Sequence, residues 1–481
     1  MDTCGSKKSM MAPLQLGVLL AAVSVAGCAV GPDYHRPEVK PVQQFRAQVG
    51  PSEASSVADL PWWQVFNDKA LQGLITEALL NNYDLQVTVA RIDQAREQVT
   101  IVRADLFPQV GYQAIAAREK GFNPLYGAKQ NITYNTFGVA ANAAWELDVW
   151  GRIRRSTEAA RANLYAQEDV HRGVMLALAS EVASSYFFLI ELDRELAIAQ
   201  ESATVFKQTL DLFTQRFEGG KDTKLAVTRA QAAYQSSEAA IAALNRAIVQ
   251  TEDSLCVLLG TYPRPIARGK RLEEETTPAT PVGETTAVLE RRPDILQAEQ
   301  VMIGANAQIG VAVANYFPVI GLSALFGGQG QHPEDIVKSS FSVWNIGAGL
   351  SGPIFQGGRL NATYHAQQAY WDETIAEYKK TIVTAFQETS DALIAQQTLV
   401  AQRAALQEQV KALRESVDLA LQRYGGGKAS YFEVLDAEQQ LFPSENALAQ
   451  AQRDQLLAVV NLYKALGGGW NLKDSDWTAP H

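Results

Sequence analysis

Cysteine is nearly absent from this 481-residue chain, which holds Cys4, Cys28 and Cys256 and no more. The five histidines (His35, His171, His332, His365 and His481) have no ligand spacing to one another or to Cys256, so no metal site is indicated. Cys256 lies between Leu255 and Val257-Leu258 in a helical, apolar setting and reads as a packed small hydrophobe. Basic charge is in deficit: 42 Lys and Arg face 52 Asp and Glu, a formal net charge of −10, which argues against a nucleic-acid binder. No Gly-x-Ser-x-Gly elbow is present, which weakens a hydrolase reading. Gly425-Gly426-Gly427-Lys428 looks like a phosphate loop but fails as one: Ala429 follows the lysine, Gln422 stands where the first glycine is required, and no strand precedes it. The apolar run from Leu14 to Ala26 is shorter than the roughly 20 residues a membrane-spanning helix needs. Glycine and proline are missing over long distances. Residues 68–105 hold only Gly73, residues 152–217 only Gly173, and residues 223–259 neither type.

Those uninterrupted stretches have helical periodicity, and their length limits the architecture. At 1.5 Å per residue a helix over 152–217 spans about 100 Å, and helices over 68–106 and 223–260 about 58 Å each. No compact domain holds such helices, so they must line up in a coiled-coil-like bundle. The same helices are expected again over roughly 284–315, 359–424 and 429–466. The chain repeats itself: Gln215-Arg216-Phe217-Glu218-Gly219-Gly220-Lys221 returns as Gln422-Arg423-Tyr424-Gly425-Gly426-Gly427-Lys428, 207 residues on (216 to 423). Leu106-Phe107-Pro108 returns as Tyr316-Phe317-Pro318 at an offset of 210, and Gly151-Arg152 as Gly358-Arg359 at 207. Matching order at several points means a duplicated large unit, because the period is too long for a solenoid.

Between the helices the period changes from 3.6 to 2. Phe137, Val139, Ala141, Ala143, Trp145 and Leu147 alternate with small or polar residues. So do Trp344, Ile346, Ala348 and Leu350; Ile320, Leu322, Ala324 and Phe326; and, more weakly, Val110, Tyr112, Ala114 and Ala116. Such alternation over about ten positions predicts strands with one face on lipid and one on water. Gly121-Phe122-Asn123-Pro124 and the segment from Gly327-Gly328 to His332-Pro333 read as hairpin loops. Four strands cannot close, and an open sheet edge in hydrocarbon leaves backbone groups unpaired at several kcal/mol each. The strands of several copies must therefore share one barrel, eight from two copies or twelve from three.

At the start, Lys7 and Lys8, the short apolar run and Val25-Ala26-Gly27-Cys28 read as an export signal, and the last four residues resemble a bacterial lipobox. Cleavage before Cys28 would make it the lipid-carrying first residue and leave Cys256 without a disulfide partner. Ala29, in place of Asp, favours the outer membrane. The expected organisation is a signal peptide (1–27), a lipid-anchored arm (28–67) ending in Pro61-Trp62-Trp63, and a first repeat (68–261, hairpin 107–149, long helix 152–217). An inter-repeat linker (262–283), a second repeat (284–467, hairpin 317–353, long helix 359–424) and a tail (468–481) follow.

Five signatures lie in order along the mature chain. They are Cys28 with Gly31-Pro32-Asp33-Tyr34 and Arg36-Pro37; Trp145-Glu146-Leu147-Asp148 with Gly151-Arg152; Arg291-Arg292-Pro293-Asp294-Ile295; Pro353-Ile354-Phe355 with Gly357-Gly358-Arg359; and Leu462-Tyr463-Lys464-Ala465-Leu466-Gly467-Gly468-Gly469-Trp470. By these the chain resembles the outer-membrane factors of efflux systems, the TolC-like and OprM-like lipoproteins. The resemblance implies a homotrimer with a shared twelve-stranded outer-membrane barrel and long coiled helices forming a periplasmic α-barrel. It implies a passive duct without chemistry or cofactor, apart from the covalent lipid on Cys28. Its implied partners are a periplasmic adaptor (membrane fusion) protein, an inner-membrane RND pump and outer-membrane lipid.

The resemblance also places a gate at the turns farthest from the strands. Gly219-Gly220 and Gly425-Gly426-Gly427, with Arg216 and Arg423, form the tip turns and the expected adaptor contact. Glu433 and Asp436, three apart on one helix face, match the positions of the family's acidic selectivity ring, although Asp is the usual residue at the first. Tyr424 matches a tyrosine of the closing network. Ala429 and Ala226 stand where some members have an arginine and its acidic partner. Arg229 occupies the slot equivalent to Asp436, and the two are expected to approach each other across neighbouring helices. Two rival functions share parts of this reading. One is the same duct used for type I protein secretion. The other is a non-conducting periplasmic scaffold, which the four alternating segments disfavour.

Overall fold

The structure, a computed structural model, describes residues 29–39, 44–46, 56–59, 65, 67–121, 132–278 and 285–468. Within the first repeat lie α1 (Lys69–Asn81), α2 (Tyr83–Ala104), β1 (Gln109–Gly121), β2 (Ile132–Leu147), α3 (Arg152–Glu218) and α4 (Lys224–Leu258). The second repeat holds α5 (Ala287–Arg291), α6 (Pro293–Ala314), β3 (Val319–Gly330), β4 (Ser342–Ser351), α7 (Arg359–Gly425) and α8 (Tyr431–Ala465). The duplication is kept element by element. The long helices α3 and α7 have 67 residues each, α4 and α8 have 35, and α2 and α6 have 22. The offset is 210 before the strands (83 to 293) and 207 after them (152 to 359), so the second hairpin segment is three residues shorter.

The helix expected over 68–106 is in fact two. Asn82 leaves the helical region with ψ 131° and separates α1 from α2. Its counterpart Arg292 does the same with ψ 121° between α5 and α6. Periodicity continues through both breaks, and a tertiary partner decides them. Asn82 Nδ2 donates to the Leu258 carbonyl at 2.9 Å, and Arg292 Nη1 donates to the Ala465 carbonyl at 3.0 Å. Leu258 and Ala465 are the equivalent last residues of α4 and α8. Each break residue thus occupies one of the carbonyls that a helix C-terminus leaves without an amide. Proline also falls inside one expected helix: Pro443 sits within α8, which runs on past it.

Four helices end in the same way, with a glycine at positive φ. Gly220 and Gly260 have φ +70° and +67°, and Gly427 and Gly467, each 207 residues later, have +68° and +71°. At the first, Lys221 N–H bonds the Arg216 carbonyl at 2.8 Å and Gly220 N–H bonds the Phe217 carbonyl at 2.9 Å. That pair of bonds is a Schellman cap, which glycine enters without the steric cost a Cβ would bring.

The four strands form one antiparallel sheet in the order β1-β2-β3-β4. The register brings the alternating apolar sets onto one face. Tyr112 faces Ala141, Ala141 faces Phe326, and Phe326 faces Trp344. Trp145 faces Leu322, which faces Ala348. The opposite face carries Gln113, Asn142, Ser323 and Asn345. The apolar face is bare: Tyr112, Phe326, Trp344 and Ile346 are 68–85% exposed. β1 and β4 have no partner on their outer edges among the described residues.

By internal contacts the chain falls into two compact units, the described residues of Met1–Glu38, Arg91–Gln167 and Ala298–Tyr378, and those of Val39–Ala90, Glu168–Gln297 and Lys379–His481. In the first, the segment after Ala29 is docked by specific bonds. Val30 N–H bonds the Trp150 carbonyl at 3.0 Å, buried Arg155 pairs with Asp33 at 2.7 Å, and Tyr34 and Arg36 both bond Glu299. In the second, Tyr186 and Phe187 are fully buried. The Tyr186 hydroxyl donates to Asp68 Oδ2 at 2.7 Å and accepts from Gly269 N–H at 2.9 Å, tying the segment after α4 to α3. Cys256 is fully buried and free.

Candidate functional site

The residues that chemistry singles out converge where α3 turns into α4 and α7 into α8, within the second unit. Residues 219–223 and 426–430 are the two turns. Gly219 N–H bonds the Gln215 carbonyl and Gly426 N–H the Gln422 carbonyl, both at 3.0 Å, so the two turns are built alike. Gly425 is still helical, the last residue of α7. The Thr223 hydroxyl accepts from Ala226 N–H at 3.3 Å and caps α4, whereas Ser430, its counterpart before α8, makes no side-chain cap.

Arg216 and Tyr424 hold the two hairpins together. Arg216 Nη1 donates to the Tyr424 hydroxyl at 2.7 Å, and its guanidinium carbon is 5.5 Å from that ring's centroid. Arg216 Nε also lies 3.6 Å from Asp222 Oδ2. The Tyr424 ring meets Tyr431 edge-on at 5.2 Å, and Tyr431 meets Phe213 edge-on at 4.6 Å. Phe213, Val227 and Ala230 form a small core beneath them. A second core of Phe206, Ala233 and Leu435 follows, with Phe442 against Phe206 at 5.3 Å. The aromatic contacts therefore run from α7 through the start of α8 to α3.

The two candidate ring acids are exposed and differ in surroundings. Glu433 lies 3.4 Å from Arg423 Nε, across the α7–α8 turn, and Asp436 Oδ2 accepts from Gln440 Nε2 at 2.8 Å on its own helix. Arg229 does not pair with Asp436 within the chain. Its guanidinium lies 5.6 Å from the Phe432 ring centroid, one turn away from the expected acid. Ala226 and Ala429 both line a cavity of about 320 Å³ walled by Phe213, Arg216, Arg229, Tyr424, Tyr431 and Phe432. Two small side chains leave open the space where a longer ion pair would fit.

Several residues of this site escaped sequence reasoning. Tyr431 and Phe432 replace Lys224 and Leu225 of the first copy, so the duplication itself hid them. Thr209 bonds the Tyr431 hydroxyl at 2.6 Å, and the Tyr431 hydroxyl donates to Glu438 Oε2 at 3.3 Å. Glu438 is buried, and burial pushes its carboxyl up to about 7. Burial likewise raises the Tyr431 phenol. Its spacing, four residues after Val434 and three after Leu435 on the same helix face, was the available signal for Glu438. Cys28 lies outside the described residues. Two residues on, Val30 is held at Trp150, and Gly151 takes φ +78°, where a Cβ would come within 2.7 Å of Ala29.

Comparison with known proteins gives the site its setting. The profile of a family described as "Outer membrane efflux protein" matches residues 74–261 and again 286–468, once per repeat. The antibiotic efflux pump outer membrane protein ArpC of Pseudomonas putida is 34% identical over 461 residues, which cover 95% of each protein. The cation efflux system protein CusC of Escherichia coli K12 is 31% identical over 465 residues, covering 95% of this chain and all of that one. Among solved structures, the outer-membrane channel OprN superposes with a TM-score of 0.85 at 29% identity, over 92% of this chain and all of that one.

Proposed function

This chain belongs to the outer membrane efflux protein family, and from that premise we propose that it is a gated passive duct assembled from three copies. As a member it is an outer-membrane efflux component, a channel with a large periplasmic part. Similar proteins carry names for antibiotic efflux and for cation efflux, cargoes with no shared chemistry. Cargo choice therefore rests elsewhere, with an inner-membrane RND pump joined through a periplasmic adaptor. The relatives give the secretion reading no support, since their names specify efflux.

The observation that carries the assembly is the open four-stranded sheet with one bare apolar face. In lipid its outer edges need partners, because each unpaired backbone group there costs several kcal/mol. Three copies supply twelve strands and close the barrel, with Trp344, Ile346, Phe326 and Tyr112 toward lipid and the Gln113, Asn142, Ser323 and Asn345 face toward the lumen. The lipid on Cys28 anchors the same copy, two residues before Val30, which is docked on Trp150.

The helical tips form the gate. Threefold symmetry turns Glu433 and Asp436 into rings of carboxylates, with Arg423 held at each Glu433. Arg216, Tyr424 and Tyr431 keep the hairpins of each copy together, and Gly219, Gly220, Gly425, Gly426 and Gly427 present the turns to the adaptor. Single-channel conductance in a planar bilayer tests this reading. The expected result is small cation-selective openings that enlarge and lose selectivity with Glu433→Ala plus Asp436→Ala. No conductance from trimeric protein in either form would overturn the duct.

A further inference from the structure

One acid at the tip lies apart from both the carboxylate ring and the Arg216–Tyr424 contact. Glu438 is 2% exposed and lies on α8 between Leu435 and Phe442, which pack on Phe206 of α3, while Thr209 of α3 bonds the same Tyr431 hydroxyl that donates to Glu438. Its hydrogen-bond partner is the Tyr431 hydroxyl. Around it, on α3, Arg216 is engaged by Tyr424 and Asp222, while Lys207 and Asp211 are exposed. On α4, Arg229 lies over Phe432, and Tyr234 packs on the adjoining core. On α7, Arg414 pairs with Glu445 and Arg423 with Glu433, while Glu415 and Asp418 are exposed. On α8 itself, Asp436 points to Gln440. Among the described residues no cation pairs with Glu438, so its charged form is poorly accommodated where it stands.

A second feature lies one turn beyond. Pro443 has no amide to give the Gln439 carbonyl, so α8 lacks the backbone bond between residues 443 and 439, just beyond Glu438. Residues 431–442 are thus joined to the remainder of α8 at its weakest point. The first copy has neither feature: Gln231 replaces Glu438 and Ser236 replaces Pro443 at the 207 offset. The acid and the break occur together in one hairpin only, the one that carries Glu433 and Asp436.

Building on the gate reading, we propose that Glu438 is a proton-operated latch on the tip segment of α8. With its proton bound, the neutral carboxyl lets residues 431–442 pack on α3 and α4, and the tip stays shut. When the proton passes to solvent, the carboxylate moves toward water, the segment swings about Pro443, and the Tyr431–Tyr424 contact loosens. A carboxyl raised to about 7 changes from about nine-tenths protonated at pH 6 to about one-tenth at pH 8. The tip therefore opens more often as the periplasmic side becomes alkaline.

The test is open probability in planar bilayers at pH 6 and pH 8, with the pH changed on the tip side only. The variants are Glu438→Gln, Pro443→Ala, and Glu433→Ala plus Asp436→Ala. The wild type should open up to about ten-fold more often at pH 8 than at pH 6. Glu438→Gln keeps the size and the packing but cannot ionise, so it should stay at the pH 6 level throughout. Pro443→Ala, which restores the helix, should reduce the pH response. The ring variant should enlarge openings yet keep that response. An equal pH response in wild type and Glu438→Gln would overturn the latch. If the ring variant then still alters conductance, the duct and its gate stand without it.

Discussion

Removing the Tyr424 hydroxyl should loosen the tip by an amount the structure sets. Tyr424 accepts one hydrogen bond from Arg216 at 2.7 Å, lies under the same guanidinium at 5.5 Å, and meets Tyr431 edge-on at 5.2 Å. A hydrogen bond to a charged group contributes about 1.5–3 kcal/mol when enclosed. The Arg216 side chain is 41% exposed, so solvent screening brings the figure for Tyr424→Phe to about 1 kcal/mol. That is a roughly five-fold shift toward the open form per copy. Tyr424→Ala removes in addition the ring contact, about 0.5–1.5 kcal/mol, and the cation–π contact, about 0.5–1 kcal/mol. The total of about 2.5 kcal/mol corresponds to a shift of roughly 60-fold. Open probability in planar bilayers measures both, and trimer yield on gels checks that assembly is intact. The reasoning is refuted if Tyr424→Ala gates like wild type, or if Tyr424→Phe matches it in size.

Three further outcomes follow from buried groups and turns. Tyr186→Phe removes one of the donors to Asp68 Oδ2, leaving Lys270 N–H at 3.2 Å, and leaves Gly269 N–H without its acceptor, a loss of about 3 kcal/mol. Hydrogen exchange at Gly269 and Lys270 should quicken by roughly 100-fold, and unchanged exchange there would contradict the contact. Gly427→Ala places a Cβ at φ +68° with open space around it, so its cost is conformational, about 1–2 kcal/mol. Gly425→Ala, at a helical position with equally open space, should be neutral or slightly stabilising; protease cleavage at the turn should rise for the first and not the second. Asp169 has its carboxyl raised to about 6 by burial, outweighing Arg172 at 3.1 Å. The folded chain holds that proton more tightly than the unfolded one, so the stability it contributes is full below about 3.8 and lost as pH rises to about 6. Asp169→Asn should therefore raise Tm at pH 8 and leave it unchanged at pH 3.5, and a shift of the same size at both would contradict the assignment.

The sheet was legible because one chemical rule governs it. Alternation assigned Phe137 through Leu147 and Trp344 through Leu350 to a lipid face, and the observed pairing puts both sets on one side. The duplication was legible for the same reason, since glycines at helix ends cannot be exchanged without strain. The breaks at Asn82 and Arg292 were not, because neither residue opposes helix by itself. Each is held out of the helix by a carbonyl roughly 175 residues away. Pro293 was the available hint at the second. In the gate, Arg229 was matched to Asp436 by its offset; within one copy its guanidinium lies over the Phe432 ring, a contact the offset does not show. Tyr431 and Glu438 were missed because they break the repeat that made the rest readable.

Disulfide trapping between strand edges bears most directly on the shared barrel. Within one copy β1 and β4 are separated by two strands, about 14 Å, twice the roughly 7 Å that a disulfide can bridge. One cysteine is placed at Gln113 on β1 and a second is walked along β4 from Val343 to Gly349, in outer membranes under oxidation. The barrel of three copies predicts that some register yields a covalently closed trimer on a non-reducing denaturing gel, reversed by reductant. Monomer at every register, or bonding that stops at two copies, would contradict it.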